Sequence, residues 1–182
     1  MMSNDSTCNP VVMGDMPSAD NMISSVITTP QHGDVLPAHQ DFTVTIATSK
    51  LDTGAFTNPM GTYYSAPQQL TPEGNVIGHV HLVVQDIGSL RSTTPPDPQT
   101  FAFFAGLNER SDDGVLSTDV VGGLPPGAYR ACTLVAAANH QPVLMPVAQR
   151  GGQDDCVRFT VTGDCQYGDD DEPAHGGVYV EV

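Results

Sequence analysis

Lysine and tryptophan are almost absent from this chain: Lys50 is its one lysine, and it has no tryptophan. Five arginines complete the basic complement against 21 acidic residues, giving a net charge of −15. Nucleic acid and anionic membrane both need a basic face that neutralises phosphate or headgroup charge. Neither is therefore expected as a partner. Aromatic residues make up only 6%, so a broad stacking platform for carbohydrate is poorly supplied, with Tyr63-Tyr64 the one local exception. No apolar run approaches the ~20 residues of a membrane-spanning helix.

Several chemical motifs are missing as well. No C-x-x-C pair exists for a zinc ribbon or a thioredoxin-type centre, and no Gly-x-Ser-x-Gly elbow presents a nucleophile. The Gly-rich stretch Gly122 to Gly127 contains Pro125-Pro126, which donate no backbone N–H to a phosphate, and reads as a turn. Asp112-Asp113 and Asp154-Asp155 read as solvated turn residues rather than paired catalytic carboxylates. No catalytic residue is expected. Met1-Met2-Ser3-Asn4 has neither the basic nor the apolar stretch of a secretory leader, so no signal peptide is expected in this sequence.

What the chain does have is β-type texture. Its 18 glycines and 15 prolines are scattered along 182 residues, which no long-helix protein tolerates. Eight short runs alternate or carry β-branched residues: Ile23–Thr29, Phe42–Ile46, Thr62–Gln69, Val76–Ile87, Phe101–Phe104, Gly114–Val121, Gly127–Ala136 and Cys156–Thr162. Turn residues separate them. The expectation is an all-β chain, a single antiparallel β-sandwich (immunoglobulin-like or related) over 22–163. A polar tail, 1–21, precedes it, and an acidic tail, 164–182, follows. Asp169 to Glu172 in that tail reads as a solvated acidic face, and Phe101, Phe103 and Phe104 read as core.

Four cysteines, Cys8, Cys132, Cys156 and Cys165, form an even set in an acidic, Thr/Ser/Pro-rich chain, which fits an oxidising compartment. Three pairings are open. The expected one joins Cys132 to Cys156 between two late strands and Cys8 to Cys165 between the tails, stabilising the fold. An extracellular setting, secreted or cell-wall, follows, and with it use of the Asn4-Asp5-Ser6 sequon for glycosylation at Asn4.

Three blocks of sequence carry a resemblance. They are Ala66-Pro67-Gln68-Gln69-Leu70 leading to Ile77-Gly78-His79-Val80-His81; Thr100-Phe101-Ala102-Phe103-Phe104-Ala105-Gly106-Leu107-Asn108; and Gly123-Leu124-Pro125-Pro126-Gly127-Ala128-Tyr129-Arg130 leading to Asn139-His140-Gln141-Pro142-Val143. Together they resemble a family of small secreted fungal proteins of uncharacterised function. A ribosomal-protein label attached to some such sequences is incompatible with one lysine and a net charge of −15. The resemblance implies a fungal extracellular protein, and a cell-wall or host component as its partner.

His79-Val80-His81 is the sharpest chemical feature. On a strand, side chains two apart share a face, so both imidazoles point one way while Val80, Leu82 and Val84 point the other. Such a pair can converge on one ion, and imidazole suits copper and zinc. His140, just beyond the Gly127–Ala136 run, is the candidate third ligand, and His32, or nearby Asp34, the fourth. An HVH strand in a sandwich also resembles the copper/zinc superoxide dismutases, but no second close histidine pair exists to build their bimetal site. The competing role for these histidines is to hydrogen-bond loop backbone. The expected protein is thus a non-catalytic interaction or structural module, with a copper- or zinc-binding protein as the alternative.

Overall fold

The computed structural model describes residues 5–163. Two sheets face each other across one core. The smaller is antiparallel, in the order β1 (Ser24–Thr29), β3 (Phe42–Ser49), β7 (Val115–Val120). The larger runs β2 (Val35–Pro37), β9 (Cys156–Thr162), β8 (Gly127–Ala137), β5 (Val76–Asp86), β4 (Leu51–Asp52), with β6 (Phe103–Leu107) also paired to β5.

Period-two alternation sets which side chains meet in the middle. Val44 and Ile46 of β3 and Leu116 and Val120 of β7 are buried, facing Val80, Leu82 and Val84 of β5, Val135 of β8 and Phe159 of β9. Phe159 and Phe42 meet edge to face, with ring centroids 6.0 Å apart. At about 25 cal/mol per Å² of apolar surface removed from water, this shared interior is the main favourable term in folding.

The expected β-sandwich is the fold, with differences of detail. Two short pairs are parallel, β2 with β9 and β4 with β5. The chain crosses between sheets before β2 and again before β4, and a strand delivered that way is free of the antiparallel constraint that a hairpin imposes. The stretch Thr62–Gln69 is not a strand. Pro59 opens a single helical turn, Pro59–Thr62, and the Asn58 side chain caps it by accepting the Met60 N–H at 2.9 Å; both are helix-start signals. The aromatic run begins its strand at Phe103, not Phe101. Phe101 and Phe104 are 63% and 53% exposed, so they are not core.

Asp154 and Asp155 are not simply solvated. Asp154 accepts the Val135 N–H at 2.6 Å, and Asp155 accepts the Ile27 N–H at 2.8 Å on the opposite sheet. Burial pushes the Asp154 carboxyl up despite its hydrogen bonds from Val135 and Thr133. Beside them, Ser25 N–H donates to the Gln153 carbonyl at 3.1 Å, so the 153–155 segment lines the outer edge of β1.

Cys132 and Cys156 are directly opposed partners of β8 and β9 and are joined by a disulfide, Cα to Cα 4.2 Å. Cys8 is exposed; Cys165, its expected partner, lies outside the described residues, as do Asn4 and the acidic run Asp169 to Glu172. The bridge closes a 24-residue separation, for which loop-closure entropy gives about 3 kcal/mol. Changing both cysteines to alanine should lower the urea unfolding free energy by about 2–4 kcal/mol with an unchanged circular dichroism spectrum. An unmoved midpoint would show that the β8–β9 ladder already holds the loop closed.

Candidate functional site: a three-histidine cluster

The cluster grows from β5. Val80, Leu82 and Val84 are fully buried on its inner face, which leaves His79 and His81 together on the outer face. An outer face normally meets water, yet His79 is fully buried and His81 half-buried. Two covering segments explain this. The 53–66 loop runs beside the strand end, where Ala55 N–H donates to the Gly78 carbonyl at 3.2 Å and Thr57 N–H to the Ala138 carbonyl at 2.8 Å. The turn after β8 closes from above: His140 N–H donates to the Ala137 carbonyl at 2.9 Å, and His140 takes φ 71°, in the left-handed region. That reversal swings its ring back over β5.

Asn139 locks the two covers together. Buried, it donates to the Ala66 carbonyl and accepts the Gln141 N–H at 2.9 Å, while its own carbonyl accepts the Tyr64 N–H at 2.9 Å. Tyr63 then stacks on His140, with ring centroids 5.3 Å apart and planes 21° from parallel. Burial, together with hydrogen bonding to Tyr64, pushes the Tyr63 phenol up to about 12.

The ligand nitrogens of His79, His81 and His140 lie within 4.8 Å of one another. His79 Nε2 is 3.0 Å from His81 Nε2 and 3.1 Å from His140 Nδ1. The remaining contacts fix where the protons sit. His79 Nδ1 lies 3.1 Å from the Ala55 carbonyl, and His140 Nε2 lies 2.6 Å from the Thr57 carbonyl. A carbonyl only accepts, so both of these nitrogens carry hydrogen. In the neutral rings, His79 Nε2 and His140 Nδ1 are therefore bare lone pairs facing each other at 3.1 Å. A hydrogen on His81 Nε2 relieves one of the two short contacts and leaves the other unmet.

A cation held between these nitrogens would relieve the contact. Protonation of His79 or His81 is disfavoured at neutral pH. Burial, reinforced by the charges His81 and His140 would carry, pushes His79 down to about 4. His81 is pushed to about 4 by burial and then by His140. The two short separations, 3.0 and 3.1 Å, match those of ligands on one metal ion: with metal–nitrogen bonds of about 2.0–2.1 Å, ligands at 90–110° stand roughly 2.8–3.4 Å apart. The Ala55 and Thr57 carbonyls hold the outer nitrogens of His79 and His140, the kind of hydrogen bond that orients a ligating imidazole.

Of the four sequence candidates, the structure brings together His79, His81 and His140. His32 is elsewhere: its Nδ1 accepts the Arg158 N–H of β9 at 3.3 Å, and Asp34 accepts the Gln31 N–H at 2.7 Å within its own turn. Both serve the loop that delivers β2 to the opposite edge of the sheet. Among the described residues no fourth histidine, cysteine or carboxylate joins the cluster. Sequence reasoning missed the 53–66 loop, whose contribution is two backbone carbonyls and the Tyr63 ring; carbonyls carry no residue-type signal.

Comparison with known proteins places these residues in a lineage. Residues 25–162 match the family model described as the CLU5d N-terminal domain. The chain is 52% identical over 159 residues to pathogenicity cluster 5 protein d of Colletotrichum graminicola, covering 86% of this chain and 33% of that protein. It thus spans about a third of that relative's length. Among solved structures it is similar to fibronectin(III)-like modules of Clostridium thermocellum CbhA (TM-score 0.41, 9% identity, 85% of this chain and 52% of that one). It is also similar to a chain of the Dpr1 IG1 complex with DIP-eta IG1 (TM-score 0.30, 9% identity, 78% and 96%). Neither structural likeness bears on function.

The depressed histidines carry a pH consequence for the metal-free protein. Unfolded histidine titrates near 6.5, so between pH 6.5 and about 4 the unfolded chain takes up protons that His79 and His81 refuse. Their contribution is complete above pH 6.5 and is lost as pH falls toward 4. Asp154, pushed up, acts in the opposite sense. Melting temperatures should fall across this window, and the fall should be shallower in a His79→Gln, His81→Gln variant. Equal slopes would assign the effect to other groups.

Proposed function

The chain belongs to the CLU5d N-terminal domain family, and we propose that it serves as a non-catalytic extracellular β-sandwich module that holds one copper or zinc ion on His79, His81 and His140. The facing lone pairs of His79 Nε2 and His140 Nδ1, 3.1 Å apart, carry the metal part of this reading. Imidazole suits both ions, and among divalent ions the general order of affinity favours Cu(II). The Cys132–Cys156 disulfide and the acidic composition support an oxidising, extracellular setting. A similar protein bears the name of a fungal pathogenicity cluster, which supports a host or cell-wall component as partner. Within such a module the ion ties the 53–66 loop and the 138–140 turn to β5, fixing the shape of the surface they form.

Elemental analysis followed by calorimetric titration with Cu(II) and Zn(II) at neutral pH tests the centre. One equivalent should bind and raise the melting temperature, since a ligand at 100 times its Kd adds about 2.7 kcal/mol to stability. The variant His79→Ala, His81→Ala should lose that equivalent and keep its β-type circular dichroism. Affinity no tighter than millimolar in the unaltered protein would assign the three rings a packing role. Binding to cell-wall material or host protein that persists in the double variant would separate the interaction role from the ion.

A further inference from the structure

Beside the histidines lies a chamber of about 480 Å³, within the ~300–1,000 Å³ typical of small-molecule sites. We infer that this chamber binds a small, neutral, planar aromatic molecule bearing a phenolic hydroxyl. The inference rests on the reading of the cluster as a functional site, and the experiment below separates the two.

The walls set the shape of the ligand. Phe56, Tyr63 and Phe104 line the chamber with rings, and Leu134 adds an aliphatic side. Phe56 and Phe104 are 50% and 53% exposed, and Leu134 is 38% exposed. Three large apolar side chains thus open onto one hollow instead of packing in the core. Phe104 also contacts His81, ring centroids 5.5 Å apart, and Phe101 stands 6.1 Å from Phe104. Ring-lined walls favour a flat ring, through stacked and edge-to-face contacts.

The polar end sets the chemistry. His81, Asn108, His140 and Tyr63 bring polar side-chain atoms to the lining, and both His140 nitrogens are already engaged, by the Thr57 carbonyl and by His79. A hydroxyl donates and accepts, so it matches an imidazole nitrogen or a carboxamide in either orientation. A phenol is uncharged at neutral pH, whereas a carboxylate or sulfonate ligand would meet a protein of net charge −15.

Gly106 keeps the hollow open. It sits directly opposite His81 in the β5–β6 register and lines the chamber. A Cβ there would lie 3.3 Å from the Asn108 carboxamide, so any longer side chain would project beside His81. Its backbone is that of an ordinary strand residue, so Gly106→Leu tests occupancy without replacing a histidine.

Titrating 2-naphthol into the metal-free and the zinc-loaded full chain at pH 7, followed by its own fluorescence, tests the site. One-to-one saturation at micromolar concentration is expected. Gly106→Leu should weaken it about tenfold or more, and so should Phe104→Ala, a change at an exposed position that spares the core. Naphthalene-2-sulfonate should bind about tenfold more weakly than 2-naphthol, and Gly106→Leu should keep its zinc equivalent. Failure to saturate by millimolar 2-naphthol, or equal affinity in the unaltered protein and both variants, overturns the inference. Zinc uptake without naphthol binding sinks the chamber alone; naphthol binding that Gly106→Leu abolishes, in a protein that takes up no zinc, supports the chamber and sinks the metal centre.

Discussion

The pairing of β5 with β8 is the constraint on which both the interior and the histidine cluster depend. Nine residue pairs, from Gly78 opposite Ala137 to Asp86 opposite Tyr129, fix a single register. A slip of one residue would send Val80, Leu82 and Val84 outward and His79 and His81 into the core. Hydrophobic burial thereby chooses the face on which the imidazoles stand. Gly78 lets the two backbones approach, since a Cβ there would lie only 2.0 Å from the Ala136 carbonyl oxygen. The β8 strand then runs straight into the turn that carries His140, so one ladder positions all three rings.

Much of this was legible in the amino-acid order. The alternation in Val76 to Asp86 placed His79 and His81 together and apart from the valines, because strand periodicity is a purely local property. Cys132 and Cys156 lay in the last two long runs and proved to be neighbours in one ladder. Illegible were the features made by backbone rather than side chain: the two parallel edge pairs, and the carbonyls of Ala55 and Thr57 that set the tautomers. The run at Thr62 misled because Tyr63-Tyr64 has strand-forming residue types, while the Asn58-Pro59 helix start just before it decides the local conformation. Phe101 and Phe104 were misassigned to the core for a related reason. Residue type reports only a tendency to be buried, and at these two positions the rings stand exposed.

Electrostatics links the two parts of the site. Burial disfavours charge on His79 and His81, and the net charge of −15 favours approach of cations over anions. The fold thus gathers the three rings at one point on the outer face of the larger sheet, next to an apolar hollow.

His140 shows what such a point costs to maintain. A non-glycine residue in the left-handed region costs roughly 1–3 kcal/mol when the rest of the structure must hold it there, and glycine or asparagine would sit at φ 71° more comfortably. Against that cost stand the contacts of the buried ring: the Thr57 carbonyl at 2.6 Å and the stack on Tyr63. Glycine at this turn would relieve the backbone while leaving the Thr57 carbonyl without its partner and Tyr63 without its stack, so position 140 trades backbone comfort against closure of the two covers over β5.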